Sequence, residues 1–165
     1  MNVLLTNMFL TASMIAMLLM PGTVTAKEKA CADQPMHLER DGKILTMIHV
    51  TTGPDGLSHG KREKIEASVT NYLGIDLTQF GLGNPSNVVI VSAPPGLDIA
   101  VHQAPYREMF ILISGESTLM LSDGSSFVSK PGTIILMEDT TGVGHGGKSG
   151  ACGYVALDLQ FKSTP

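Results

Sequence analysis

The apolar residues of this chain recur with a period of two or stand in short unbroken runs, and no stretch outside the first 26 residues repeats them at helical spacing. Lys43 to Val50 reads as a strand. Ile65 to Val69, Asn87 to Val91, Thr118 to Leu121, Phe127-Val128 and Ile134 to Met137 read the same way. Met109 to Ile113 is apolar on both faces, which predicts a strand buried between two sheets. At the far end Tyr154 to Phe161 alternates, with Val155, Leu157, Leu159 and Phe161 on one face. Turn chemistry separates these runs at Thr52 to Gly56, Pro94-Pro95-Gly96, Gly115-Glu116 and Pro131-Gly132. Asp123-Gly124 predicts a two-residue hairpin, because such a turn needs positive φ angles. The charged segment Gly60 to Ile65 reads as a lead into the short strand after it or, alternatively, as the start of a helix. Tyr72 to Asn87, with three glycines and a proline, predicts a long loop with one helical turn. Roughly nine short strands without an amphipathic helix define an all-β barrel or jelly roll.

The first 26 residues differ in kind. Met1 to Ala26 contains no Asp, Glu, Lys, Arg or His, and its apolar run Met8 to Met20 is short of the about 20 residues that span a bilayer. Pro21-Gly22 breaks the run and Val24-Thr25-Ala26 offers small residues for cleavage, so residues 1–26 read as a secretory signal peptide, although their only positive charge is the α-amino group. Residues 27–42 then form an arm and residues 43–165 one domain. The product is expected to be secreted or periplasmic, with no membrane contact after cleavage. In such a compartment Cys31 and Cys152, the only cysteines, either tie the arm to the last strand or stand as two unrelated thiols.

All the charge follows the leader, 11 basic against 15 acidic residues, and the one basic cluster is Lys61-Arg62-Glu63-Lys64. Nucleic acid demands a larger basic footprint, so that class of partner is excluded. A mildly acidic, aromatic-poor domain fits a small-molecule partner instead. Gly142 to Ser149 spells a phosphate-loop pattern letter for letter, but no helix can follow it, since Gly150 to Gly153 leads into the last strand.

Candidate chemistry concentrates between Gly96 and His145. Gly96, five residues, His102, one residue, Ala104, three residues, Glu108, six residues and Gly115 follow one another. That spacing resembles the first motif of the cupin superfamily, with Ala104 where the family has a second histidine. Glu138-Asp139-Thr140-Thr141-Gly142-Val143-Gly144-His145 is similar to a signature carried by a group of small cupins. Against the family's second motif, Thr140 replaces a proline, Ser149 replaces an asparagine and Gly132 lies two residues too far upstream. The resemblance spans Lys43 to Phe161. It implies a single-domain cupin β-barrel in which His102, Glu108 and His145 are ligands of a divalent metal, Fe, Mn, Ni or Zn. Two imidazoles and one carboxylate with open positions suit such ions, and a metal would compensate a carboxylate in an apolar interior. The plainer reading of the same residues has two buried, hydrogen-bonded histidines and Glu108 paired to Arg107 or Lys148.

Tyr106 and His59 are candidate catalytic proton-transfer groups, His59 being alternatively a fourth ligand or an ordinary loop histidine. Because the fold serves many activities, three functions stay open. One is a metal-dependent enzyme with dioxygenase, isomerase or lyase chemistry on a small organic molecule. Another is a non-catalytic exported binder of a small ligand, and the third a structural or metal-scavenging envelope protein. The resemblance also implies a homodimer.

Overall fold

The computed structural model describes Cys31 and residues 34–162, and the expected leader, residues 1–26, lies outside them. The described chain is all β, as the alternation predicts. Eleven strands follow in order: β1 (Arg40–Asp41), β2 (Ile44–Thr52), β3 (Ser58–Glu66), β4 (Ser68–Tyr72), β5 (Ile75–Gln79) and β6 (Asn87–Ala93). Then come β7 (Asp98–His102), β8 (Arg107–Leu121), β9 (Ser126–Ser129), β10 (Ile134–Glu138) and β11 (His145–Phe161). Nine of them form one mixed sheet in the order β1-β2-β10-β8-β11-β6, with β3 on β2, β7 on β11 and β9 on β8. Only β10 and β2 run parallel. With β4 and β5 forming a second, two-stranded sheet, this all-β arrangement is compatible with a β-sandwich.

Two apolar clusters occupy the two faces. Alternation along β2 sends Ile48 and Val50 to one side, where they meet Leu119, Leu121, Ile135, Met137 and Ala104, with Phe110 and Phe127 against them. Leu45 and Met47 point the other way, into a cluster with Met109, Ile134, Leu136 and Phe161. Leu38 from the arm and Phe80 and Leu82 from the loop before β6 cover this second cluster. The last strand is therefore packed on both faces, since Leu159 and Phe161 join the second cluster while Ala156 and Asp158 are buried opposite them.

The long strands β8 and β11 pair with each other, with register irregularities between Ser149 and Tyr154 and between Val155 and Ala156. Gly115-Glu116, expected to turn the chain, does not. Strand β8 runs straight through it, and the β8–β11 register shifts instead between Ser149 and Tyr154. Gly115 has φ +78° and a Cβ there would lie 2.0 Å from the Gly153 carbonyl oxygen, so the irregular pairing needs glycine at that place. Before the bulge His145 to Ser149 pairs with Ser117 to Leu121; after it Tyr154 to Phe161 pairs with Arg107 to Gly115.

Three other expectations change. Ser58–Glu66 is a full strand paired to β2 along its whole length, and Lys61 and Arg62 are tolerated because β3 pairs with β2 alone. Charged side chains suit a strand at a sheet margin, and here they pair as Lys61–Glu63 and Arg62–Glu39. The first half of the loop expected over 72–87 is instead part of a hairpin, β4–β5, closed by Leu73-Gly74 with positive φ at both residues, and residues 80–86 remain a loop. Leu73 gives no turn signal in sequence, and the tight turn is held by Asn71, whose side chain bonds Asp76 and the Gly74 amide. At Asp123-Gly124 only Gly124 has positive φ, and the Leu121 amide reaches the Ser125 carbonyl at 2.9 Å, so the loop is longer than the two residues predicted.

Cys31 and Cys152 form a disulfide that anchors the arm to β11. Such a bond fits an oxidising compartment. No helix among the described residues is long and apolar enough to cross a membrane. Gly142 to Ser149 runs directly into β11 rather than a helix, so the phosphate-loop spelling has no phosphate-loop structure.

Candidate functional site

Pairing of β7 with β11 places His102 directly opposite His145. Cross-strand neighbours on one face stand about 5 Å apart, and here the two imidazole centroids lie 4.8 Å apart, tilted by 56°. Both histidines line a cavity of about 180 Å³ together with Glu108. Apolar side chains, chiefly Phe110, Leu112, Leu119, Ile135 and Met137, make most of its wall, and Lys148 and Tyr154 add polar groups. The sequence-predicted ligands are thus gathered on one cavity. Tyr106 and His59 do not line it.

Each imidazole is fixed through Nδ1. The His102 Nδ1 lies 2.9 Å from the Ala100 carbonyl oxygen, which can only accept, so this nitrogen carries the proton. The His145 Nδ1 lies 2.8 Å from Asp139 Oδ2. Asp139 is fully buried, and Ser58 Oγ donates to the same carboxylate at 2.6 Å. Burial works to raise the Asp139 carboxyl, but the hydrogen bonds from His145 and Ser58 outweigh it and hold it below the ordinary aspartate range. An ionised carboxylate accepts only, so His145 is the donor. Nε2 makes no hydrogen bond in either ring among the described residues.

Glu108 behaves differently. It is 6% exposed, and burial, reinforced by the charges of Asp158 and Asp139, pushes its carboxyl up to about 7. The cations expected to neutralise it are engaged elsewhere: Arg107 pairs with Glu138, and Lys148 reaches Asp98 at 3.3 Å. Asp158 is also buried and raised by burial, with the Gln160 amide on its Oδ2 at 2.8 Å. The cavity therefore presents a carboxyl without a cation partner among the described residues. Donor chemistry fits a divalent ion, with two imidazole Nε2 lone pairs and one orphan carboxylate on one cavity. Among the described residues, however, no three His, Cys, Asp or Glu side chains are already clustered to hold an ion.

One consequence is directly measurable. The native state keeps the Glu108 proton over a range where the unfolded chain has released it. Stability of metal-free protein is then expected to fall as pH rises from 4.5 to about 7, by on the order of 3 kcal/mol. Asp139 has the opposite sign, and its contribution is lost only as pH falls below the ordinary 3.8. Urea denaturation of the metal-free protein between pH 4.5 and 8 measures this slope. Asp158 and His59, also raised, contribute with the same sign as Glu108, so Glu108→Gln is expected to reduce the slope without abolishing it, and an unchanged slope would remove the assignment.

His59 sits between Asp55 and Asp123, with Nε2 3.0 Å from Asp55 and Nδ1 3.1 Å from Asp123. The Asp55 hydrogen bond raises its pKa, so both ring nitrogens are committed at the surface. Tyr106 is half exposed in the β7–β8 turn. Ala104 does not line the cavity; it is buried in the first apolar cluster, and its amide bonds the Asp139 carbonyl at 3.2 Å. Sequence reasoning missed Asp139 and Ser58. It also missed the partners of His49, whose Nε2 lies 2.7 Å from Glu138 and Nδ1 3.0 Å from Glu63 on the opposite face of the sheet.

No protein-family model matches this chain, and no curated protein matches it at a significant level.

Proposed function

We propose that this chain is an exported single-domain cupin-type β-barrel that binds one divalent metal ion at His102 and His145 and holds a small organic molecule in the adjoining cavity. The observation that carries the reading is the paired commitment of Nδ1. Metal-binding histidines characteristically give their second nitrogen to a carboxylate or a backbone carbonyl, which aims the other at the ion. His145 has the first kind of partner and His102 the second. Glu108 supplies the third ligand, and the ion removes the penalty of a buried carboxylate without a cation.

When bound, such an ion polarises a carbonyl or hydroxyl oxygen as a Lewis acid. The chain's own residues do the rest. Phe110, Leu112, Ile135 and Met137 hold the apolar body of a ligand and exclude water. Lys148 also lines the cavity, with its ammonium paired to Asp98 at 3.3 Å. Organic acids, phenols and enols match the combination of ion and apolar wall. The apolar wall equally supports a protein that binds such a molecule without converting it, and turnover of a bound candidate separates the two. Export rests on the disulfide and on the leader-like first 26 residues, and homodimerisation remains part of the resemblance to the family.

Calorimetric titration of metal-stripped protein tests the reading. One equivalent of Zn(II) or Mn(II) per chain is expected, lost in His102→Ala. Full binding by that variant would refute it.

A further inference from the structure

A fully buried carboxylate six residues before His145 accepts, on one and the same oxygen, from the site's own histidine and from a buried hydroxyl. Asp139 and Ser58 are both 0% exposed and His145 is 5% exposed. They arrive from three separate places in the chain: Ser58 opens β3, Asp139 follows β10 and His145 opens β11. The Ser58 amide is itself fixed by the Ser122 hydroxyl at 2.8 Å. The Asp139 carbonyl accepts from Ala104, just beyond His102, so the same residue is tied by backbone to one side of the site and by side chain to the other. Nothing in the fold requires a buried charge here, because an isostere without charge would fill the space without the desolvation cost.

We propose that Asp139 is the positioning residue of this site, holding His145 in the Nδ1–H tautomer with Nε2 presented to the cavity, and that Ser58 holds Asp139 in turn. The role in ligation rests on the reading of His145 as a metal ligand; the control of tautomer and ring orientation does not. Asp139 Oδ2 is the acceptor for both donors, at 2.8 Å from His145 Nδ1 and 2.6 Å from Ser58 Oγ. The bond geometry leaves the ring no second acceptor for Nδ1 among the described residues. Removing the carboxylate frees the ring to rotate and to exchange tautomers. Outer partners of this kind change metal affinity by about 10- to 100-fold when lost.

The experiment compares full-length wild type, Asp139→Asn and Ser58→Ala in two readouts. Nitrogen-15 chemical shifts of the His145 ring in metal-stripped protein report the tautomer, and Zn(II) affinity reports the consequence. Wild type is expected to show a protonated Nδ1 and an unprotonated Nε2. Asp139→Asn is expected to lose that pure tautomer and to bind Zn(II) about 10- to 100-fold more weakly. Ser58→Ala, which keeps the carboxylate, is expected to lose about tenfold or less. Should Asp139→Asn not fold, Ser58→Ala carries the same two readouts. A wild-type ring protonated on Nε2, or ring shifts unaltered in the variants that fold, would overturn the proposal. Wild type that binds no Zn(II) would refute the metal reading alone, and the ring shifts would still decide the role of Asp139.

Discussion

Cys152→Ser is expected to lower stability by about 3–5 kcal/mol, through the loss of its disulfide to Cys31. The bond closes a loop with a sequence separation of 121 residues, so it spans nearly the whole described fold. In the chain-entropy account a loop of that length restricts the unfolded ensemble by roughly 5 kcal/mol, and measured effects run somewhat smaller. The arm has native contacts of its own to strengthen this: Leu38 packs on the second apolar cluster and the His37 amide reaches the Pro131 carbonyl at 3.0 Å. Without the bridge these few contacts must bear the whole ordering cost of the arm. For a domain of this size the melting temperature should drop by roughly 10–20 °C. Thermal melts of the variant, and of wild type under dithiothreitol, measure it. Coincident melts of oxidised and reduced protein would show that the bridge does not constrain folding.

His145→Ala has two expected effects. Metal binding should vanish, because one of the two imidazoles that face each other across β7 and β11 is gone. Stability should also fall, even without metal, by about 3–5 kcal/mol. Asp139 would keep only Ser58 as a donor while remaining fully buried, and breaking a buried charged interaction from one side leaves an uncompensated charge. The double variant His145→Ala with Asp139→Ala is expected to recover part of that loss, since removal of both partners also removes the stranded charge. Calorimetric metal titration and urea denaturation of the three proteins check both effects. A single variant as stable as wild type would place Asp139 in a more solvated setting than its burial indicates.

Local pattern reveals a good part of this fold, because β2, β6 and β10 announce themselves by alternation and β-branched runs. Glycine is where local pattern misleads. Gly115 and Gly74 carry the same residue type and the same positive φ, yet one allows a long strand to bulge and the other closes a hairpin. The difference is made by the partner strand, which the local sequence does not contain. Likewise Lys61-Arg62-Glu63-Lys64 looks unlike a strand, and it becomes one because β2 offers it a margin with one free side.

At the site, the resemblance to the cupin motifs nominates His102, Glu108 and His145, and all three line one cavity. Ser58 and Asp139 are another matter, since 81 residues separate them, Ser58 belongs to no motif, and the stretch that contains Asp139 gives that residue no role of its own. Their role depends on β3 and β10 converging beside β11. The charge state of Glu108 was equally hidden. Neighbouring Arg107 looks like its partner in sequence, but adjacent strand residues point to opposite faces, and Arg107 turns to Glu138 and the Phe161 ring.

Metal content of untagged protein, determined by inductively coupled plasma mass spectrometry for wild type and Glu108→Ala side by side, tests the central claim most directly. Near-stoichiometric Fe, Mn, Ni or Zn in wild type and a clear fall in the variant is the predicted result. An absence of metal from both proteins after reconstitution, or equal content in the two, would contradict a site built from His102, Glu108 and His145.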